Sequence, residues 1–407
     1  MRFKVLALLA ALAVVGSLAA KPVTILVSID GCRWDYPELH QATFLQELAA
    51  SGTRVERLVP SYPSKTFPNH YTLVTGLRPS EHGIIQNKFY DHGFDAWFAI
   101  GDDPAAREGR WWGGEPIWNT IERQGGTAAC MFWPGSEAPI NDRYPSEWLP
   151  YDHKLPNDAR IDQVVTWVIA PNSPDLVTLY FSAVDSAGHD FGPESPQTRD
   201  ALLAIDAALR TLRDRLIETG RWSETTLIIT ADHGMTPVSG DRIVELEELL
   251  DLDDVTIDFS GACTGLMLLH PEAATHIAAA INRLGKPIRA YAKADVPARL
   301  HFSNNARIPD IVIIPELGWR VFTHKDAEKR RIDGWADGGD HGFDPVAPDM
   351  SAIFIVAGPG IEAGKVVPPT ENIHVYNLLC ALSHVKPAPN SGDLRLAEAV
   401  LPVRARR

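Results

Sequence analysis

The chain has 407 residues, 45% of them hydrophobic, which suits one large α/β domain or two ordinary ones with a substantial core. Its 52 acidic residues outnumber its 38 basic residues and give a net charge of -14, so we do not expect a polymeric nucleic acid as a partner. The four cysteines form no Cys-x-x-Cys pair, which argues against a cysteine-based zinc site and leaves up to two disulfides open in an exported protein.

Residues 1–20 carry the pattern of a secretory signal peptide. Arg2 and Lys4 precede an apolar run from Val5 to Val15, and small residues follow. A membrane anchor is the alternative interpretation, but this run is shorter than the roughly 20 apolar residues that a bilayer span needs. We therefore predict an exported protein, periplasmic or secreted, whose mature chain, residues 21–407, has no membrane span.

Short apolar runs that end close to an acidic residue recur along the chain and predict strands of a buried parallel sheet. The runs at 21–31, 174–190 and 225–235 end at Asp30, Asp185 and Asp232, and a fourth at 351–360 has no carboxylate at its end. A helical pattern fills residues 195–220 between two of these strands. This alternation predicts a three-layer α/β sandwich with a central, mostly parallel sheet, and such sheets bind ligands at the carboxyl ends of their strands.

Two regions depart from this alternation. Residues 87–157 are rich in Trp, Pro and Gly and predict long aromatic loops with one or two helices among them. Residues 240–340 predict helices near 243–251 and 271–284, with strand-like runs such as IVIIPELG at 311–318. We interpret the second region as a small subdomain inserted between core strands of a single catalytic domain.

Carboxylate and imidazole groups gather at the predicted strand ends and in loops next to glycine. The candidate ligands are Asp30, Asp185, His189, Asp232, His233 and His341. Each of them alone is an ordinary turn or loop residue. Together they favour a metal site, because carboxylate and imidazole ligands without thiolate are typical of zinc or manganese, and open coordination positions are typical of a catalytic site.

A single hydroxyl, Thr66, lies in the constrained stretch PSYPSKTFPNHYTLVTG at residues 60–76. A threonine hydroxyl is a poor nucleophile at neutral pH and needs a base or a metal to lower its pKa. Two metal ions about 4 Å apart could activate Thr66 and stabilise the leaving oxygen in a displacement at phosphorus. The alternative is that Thr66 only caps the helix that follows.

These stretches resemble the nucleotide pyrophosphatase/phosphodiesterase family of the alkaline phosphatase superfamily. The similarity covers the chain from about Lys21 to Pro389 and rests on SIDGCRWDY, PSKTFPNHYTLVTGLRPSEHGI, WPGSEA, YFSAVDSAGHDFGP, TADHGM and DHGFDP. The resemblance implies two Zn²⁺ ions. One would be held by Asp185, His189 and His341, and the other by Asp30, Thr66, Asp232 and His233. It further implies that Thr66 attacks phosphorus and forms a covalent phospho-threonine intermediate.

The resemblance also implies contacts with the substrate. Asn87 matches a family asparagine that donates a hydrogen bond to a phosphoryl oxygen, a role that would stabilise developing charge. Phe67 and Tyr180 match aromatic positions that flank the base or alcohol group, and Tyr151 is a candidate for the opposite wall. Core packing is the alternative explanation for these rings.

The sequence therefore predicts a two-zinc phosphodiesterase that cleaves nucleotide phosphodiester or pyrophosphate bonds to a nucleoside 5'-monophosphate. Its expected partner is a small nucleotide or phosphodiester substrate. Two enzymes of the same superfamily stay open as alternatives, a phosphomonoesterase and a lipid or choline phosphodiesterase. A non-catalytic protein that binds phosphorylated ligands is a further alternative, but it would be expected to lack one of the ligands or the nucleophile.

Overall fold

The computed structural model describes residues 21–101 and 104–402. The signal-peptide prediction for residues 1–20 therefore lies outside the described residues. Within the described part of the chain, each helix is too short or too polar to cross a membrane. The cysteines Cys32, Cys130, Cys263 and Cys380 are all buried and unpaired, so neither of the two disulfides left open by the sequence is formed.

The helices and strands alternate along much of the chain. The helices are α1 (Tyr36–Leu39), α2 (Thr43–Ser51), α3 (Thr66–Thr75), α4 (Pro79–His82), α5 (Ile117–Arg123), α6 (Asn157–Ile169), α7 (Ala183–Phe191), α8 (Pro196–Glu218), α9 (Ala274–Arg283), α10 (His324–Asp333), α11 (Val375–Leu382) and α12 (Arg395–Val400). The strands are β1 (Val23–Ile29), β2 (Thr53–Val55), β3 (Leu58–Val59), β4 (Lys88–Asp91), β5 (Ala96–Ala99), β6 (Ala128–Met131), β7 (Glu147–Leu149), β8 (Leu176–Phe181), β9 (Thr225–Thr230), β10 (Thr236–Val238), β11 (Ile243–Glu245), β12 (Val255–Phe259), β13 (Thr264–Leu268), β14 (Ile288–Ala292), β15 (Ile311–Pro315), β16 (Arg320–Phe322), β17 (Gly338–Asp340), β18 (Phe354–Ala357), β19 (Lys365–Val367) and β20 (Thr370–Glu371).

An eight-stranded sheet forms the centre of the molecule, in the order β19-β2-β18-β9-β1-β8-β6-β7. Strands β9, β1, β8, β6 and β7 run parallel to their neighbours in this series, whereas β18 is antiparallel to both β9 and β2. All seven residues of β1 are buried, which fits a strand covered by helices on both faces. This confirms the predicted α/β fold with a mostly parallel sheet.

The register of the three central strands sets the position of the site. Ser28 of β1 lies opposite Tyr180 of β8 and Thr230 of β9. The carboxyl ends of these three parallel strands therefore meet at one edge of the sheet, which is where ligands bind in folds of this kind.

Two elements predicted from the sequence are wrong. The run at 174–190 is not a strand ending at Asp185, because β8 stops at Phe181 and helix α7 holds both Asp185 and His189. Their spacing of four residues places both side chains on one face of that helix. The helix predicted at 243–251 is the short strand β11 followed by a 3-10 turn, because the apolar residues of β11 pair with β16.

Residues 87–157 and 240–340, the two regions that depart from the regular alternation, both contain strands. The predicted loops at 87–157 contain the β4–β5 hairpin and β6, a fully buried strand of the central sheet. In the region 240–340, strands β12, β13, β15 and β14 form a separate antiparallel sheet, against which α9 packs. The assignment of this region as an inserted subdomain stays a prediction.

Candidate active site

The candidate ligands come from segments that follow three adjacent strands. Asp30 follows β1 directly, Asp232 and His233 follow β9, and α7 follows β8. Gly31 adopts φ +67°, and a Cβ at this position would lie 3.0 Å from Oδ1 of Asp185. Glycine therefore permits both the turn after β1 and the close approach of α7.

The first group of ligands combines helix α7 with the loop after β17. Nε2 of His189 lies 3.5 Å from Oδ1 of Asp185, and Nε2 of His341 lies 3.7 Å from the same oxygen. The ligand atoms of Asp185, His189 and His341 all lie within 4.8 Å of one another, close enough to bind a single cation.

The second group is buried deeper. Nε2 of His233 lies 2.9 Å from Oδ2 of Asp232 and 3.5 Å from Oδ1 of Asp30. The rings of His233 and His341 stack with their centroids 3.4 Å apart and so join the two groups. The fold thus brings together all six Asp and His residues that the sequence suggested.

Thr66 is the first residue of α3 and does not cap it. The residue before it, Lys65, is extended, and no side chain caps this helix end. Oγ1 of Thr66 lies 3.4 Å from Nε2 of His233, which places the hydroxyl beside the second ligand group. The capping alternative is therefore wrong, and the Thr66 side chain is free to take part in chemistry.

Backbone carbonyls orient three of the imidazole rings. The Nδ1 atoms lie 2.8–2.9 Å from carbonyl oxygens of Gly339, Gly234 and Ser64, for His189, His233 and His341 respectively. A carbonyl oxygen only accepts hydrogen bonds, so Nδ1 carries the proton and Nε2 presents its lone pair to the carboxylates. This is the arrangement in which histidine binds a metal ion.

The carboxylates of the site have incomplete hydrogen bonding. Oδ1 of Asp30, Oδ1 of Asp185 and Oδ2 of Asp232 are buried and lack a hydrogen-bond partner among the described residues. Leaving such an oxygen unpaired costs about 1–3 kcal/mol, and more when it is charged. All three oxygens face Nε2 lone pairs of His189, His233 or His341. Such a set of oxygen and nitrogen ligands fits a divalent cation.

Charge crowding shifts the pKa values in the same region. Burial raises the pKa of Asp30 well above its ordinary value, and the nearby Asp232 and Asp185 raise it further. Burial would also raise the pKa of Asp232, but His233 and His70 next to it lower that pKa overall. Burial, and then the neighbouring His233, lower the pKa of His341. The site therefore concentrates negative charge that a metal cation would neutralise.

The sequence did not single out His70, which supports the site from helix α3. Its Nδ1 donates to the carbonyl oxygen of Thr66 at 2.9 Å and lies 3.3 Å from Oδ2 of Asp232, while Nε2 is 2.8 Å from Oγ of Ser28. His70 therefore connects helix α3, which carries Thr66, to the candidate ligand Asp232. The signal was its position four residues after Thr66, on the same face of one helix.

The aromatic residues surround a cavity of about 280 Å³ that opens beside Thr66. Phe67, Tyr151 and Tyr180 all line it. Tyr180 has a second role, because its hydroxyl donates to Oδ2 of Asp30 at 2.5 Å. Asn87 is not among the lining residues, but its Oδ1 accepts a hydrogen bond from the Phe67 N–H at 2.9 Å.

Comparisons with known proteins agree with this architecture. Residues 24–344 match the family model described as type I phosphodiesterase / nucleotide pyrophosphatase. Venom phosphodiesterase of Macrovipera lebetinus is 37% identical over 392 residues, which cover 90% of this chain and 44% of the relative. Ectonucleotide pyrophosphatase/phosphodiesterase family member 3 of Bos taurus is 34% identical over 387 residues, 91% of this chain and 43% of the relative. The chain thus spans less than half the length of these relatives.

Solved structures match over nearly the whole chain. Human ectonucleotide pyrophosphatase/phosphodiesterase 5 superposes with a TM-score of 0.87 at 30% identity, covering 93% of this chain and all of that one. An inactive variant of the murine protein, solved in complex with AMP, superposes with a TM-score of 0.85 at 28% identity and the same coverage.

Proposed function

The chain belongs to the type I phosphodiesterase / nucleotide pyrophosphatase family, and we propose that it hydrolyses phosphodiester or pyrophosphate bonds of nucleotides to a nucleoside 5'-monophosphate. The observation that carries this proposal is the position of Thr66, whose hydroxyl lies beside the buried ligand group and at the edge of an aromatic cavity. The AMP bound to the murine neighbour supports a nucleotide as substrate.

We assign the ligands to two Zn²⁺ ions, one held by Asp185, His189 and His341, the other by Asp30, Thr66, Asp232 and His233. When bound, the ions would lower the pKa of the Thr66 hydroxyl and neutralise charge on the phosphoryl group. Nε2 lone pairs and unpaired carboxylate oxygens, all directed to one small volume, support this assignment.

Thr66 acts as the nucleophile in this proposal. Its deprotonated oxygen attacks phosphorus, the bond to the leaving oxygen breaks, and a phospho-threonine forms. Water then cleaves the phospho-threonine and restores the hydroxyl. The position of Thr66 at the start of α3 favours this role, because the positive end of the helix dipole lies there and attracts a phosphoryl anion.

Asn87 and the aromatic residues position the substrate. Because Oδ1 of Asn87 accepts from Phe67, its amide nitrogen is the group left to donate to a phosphoryl oxygen. Phe67, Tyr151 and Tyr180 offer aromatic faces around the cavity, on which a base can stack regardless of its identity. We further propose that the chain is exported, on the pattern of residues 1–20.

A comparison of three ester substrates tests the proposal. Zinc-loaded protein should hydrolyse thymidine 5'-p-nitrophenyl phosphate with a far higher kcat/KM than p-nitrophenyl phosphate or p-nitrophenylphosphocholine. A preference for p-nitrophenyl phosphate would indicate a phosphomonoesterase, and a preference for the choline ester would indicate a lipid or choline phosphodiesterase. Hydrolysis of none of them, with retained binding of AMP, would indicate a non-catalytic binding protein.

A further inference from the structure

A second cavity, of about 300 Å³, is lined by His189 of the first ligand group and by Lys65, the residue before Thr66. The two cavities share no lining residue. Each of them reaches the candidate metal site: the aromatic cavity through Thr66 and Asp185, the second through Lys65 and His189. We call the second cavity the arginine pocket. Its charged lining residues are Lys65, His189, Asp190, Arg320, Arg330 and Asp340.

Arg320 is the feature of the arginine pocket that requires an explanation. The residue is 2% exposed, yet its Nε–H has no hydrogen-bond partner among the described residues. One terminal nitrogen donates to the carbonyl oxygen of Ala336, and the other lies 4.0 Å from Oδ2 of Asp340. A guanidinium has five N–H donors, and buried donors in native proteins are normally paired. Arg320 therefore has a donor to offer to an acceptor that enters the pocket.

The other side chains make the arginine pocket positive. Nζ of Lys65 lies 3.1 Å from Oδ1 of Asp340, and the guanidinium of Arg330 lies 4.2 Å above the ring of Phe322. The pocket is thus lined by three cationic side chains and two carboxylates, those of Asp340 and the exposed Asp190. The chain as a whole has a net charge of -14. A local excess of positive charge in an acidic protein selects for an anion.

We propose that the arginine pocket binds the phosphate groups of the substrate beyond the bond that is cleaved, such as the terminal diphosphate of a nucleoside triphosphate. This inference rests on the proposed function. With the nucleoside in the aromatic cavity and the reacting phosphorus at Thr66, phosphate groups that continue past His189 would reach the arginine pocket, which His189 also lines. Arg320 and Arg330 can bind phosphate through paired N–H groups, a geometry that arginine provides better than lysine. The protein is then a pyrophosphatase in preference to a diesterase for uncharged alcohols.

Equilibrium binding tests the pocket without relying on turnover. In the Thr66→Ala protein, calorimetric titration gives the Kd of adenosine triphosphate and of adenosine monophosphate, which lacks the terminal phosphates. Arg320→Gln should raise the Kd of the triphosphate about tenfold or more and change that of the monophosphate less than about twofold, the effect expected for losing a charged hydrogen bond. Equal changes for both nucleotides would overturn the proposal.

A second variant covers the case in which Arg320→Gln does not fold. Arg330→Gln should raise the Kd of the triphosphate selectively, because Arg330 is partly exposed and lines the same pocket. Arg331→Gln is the matched control, since this exposed neighbour pairs with Glu245 and Glu328 and does not line the pocket. If Arg330→Gln and Arg331→Gln behave alike, the pocket does not bind the substrate.

Kinetics with the zinc-loaded enzyme separate the two proposals. In Arg330→Gln, KM for adenosine triphosphate should rise about tenfold, while kcat/KM for thymidine 5'-p-nitrophenyl phosphate should change less than about twofold, because that leaving group carries no phosphate. Parent protein that cleaves neither substrate and binds no monophosphate would refute the proposed function. Parent protein that cleaves both, with no selective effect of the variant, would refute only the arginine pocket.

Discussion

The two ligand groups of the candidate site differ in burial. Asp30, Asp232 and His233 are each at most 1% exposed and follow central strands of the sheet. In the other group His341 is buried as well, but the side chains of Asp185 and His189 are 17% and 36% exposed and project from a single helix. From this difference we expect the buried group to contribute to folding stability, whereas changes to the two partly exposed residues on the helix should affect mainly the binding of a metal ion.

The largest effect should come from Thr66, the proposed nucleophile, which lies beside the buried group. Thr66→Ala removes the attacking oxygen, so kcat should fall on the order of 10³-fold or more, as in other enzymes that lose a nucleophile. Metal content, measured by mass spectrometry, should be largely kept. Thr66→Ser is the control, because it retains a hydroxyl and should keep measurable turnover. An unchanged rate in Thr66→Ala would show that another group attacks phosphorus.

Substitutions in the two groups should separate stability from metal binding. Asp232→Asn changes a fully buried side chain that accepts from Gly31 N–H and lies against His233, and it should lower the free energy of unfolding by about 1–3 kcal/mol in chelator. His189→Gln changes a partly exposed side chain and should cost less than about 1 kcal/mol.

Urea denaturation in the presence of chelator measures both values, and metal analysis should show loss of bound ion in both variants. Similar stability losses in Asp232→Asn and His189→Gln would contradict the assignment of a structural role to the buried group alone.

Tyr180 lines the aromatic cavity, and its hydroxyl donates a hydrogen bond to Asp30 of the buried group. We expect this hydrogen bond to hold the Asp30 carboxylate in position for the metal ion. Tyr180→Phe removes the hydrogen bond to Asp30 but keeps the ring, so affinity for the metal should fall about tenfold, as is usual when the partner of a ligand is lost. Tyr151→Phe is the control, because its hydroxyl contacts Ser182 and not a ligand. If Tyr180→Phe changes only the KM of the substrate and leaves metal affinity intact, Tyr180 contacts the substrate but does not position a metal ligand.

Asp258 is a buried carboxylate outside the site, and its pKa is raised by burial and not by neighbouring acids. Burial raises the pKa of Asp258 to about 7, and its Oδ1 accepts a hydrogen bond from Tyr90 N–H. The unfolded value is about 3.9, so the protonated group favours the folded state at low pH. The free energy of unfolding therefore falls by about 1.4 kcal/mol per pH unit as the pH rises from about 4 to about 7.

Asp258→Asn should remove that slope, since the amide oxygen still accepts from Tyr90 but does not ionise. Urea denaturation at several pH values between 4 and 8 measures the effect. The exposed Asp254→Asn serves as the control and should leave the slope unchanged. A slope that persists in Asp258→Asn would show that another group titrates.

The sequence predicted which residues lie together in the candidate site better than it predicted the helices and strands that hold them. The motifs around Thr66 and Asp232-His233 led to the site because their residue types have few other uses in combination. The sequence predicts a strand that extends to Asp185, because only Ser182 separates the apolar run of β8 from Ala183 and Val184 at the start of α7. The N-cap interpretation of Thr66 was equally compatible with the sequence and fails only because Lys65 occupies that position.

What the sequence determined by itself is the fold class and the choice of six candidate ligands and one candidate hydroxyl, because apolar periodicity and residue chemistry are local properties of the chain. Tertiary structure decided the contacts between distant segments: Tyr180 with Asp30, His70 with Asp232, and Arg320 in a pocket beside His189. These depend on strand order and register, which bring residues more than a hundred positions apart within hydrogen-bonding distance. No local pattern encodes such a contact, since each partner alone is an ordinary core or surface residue.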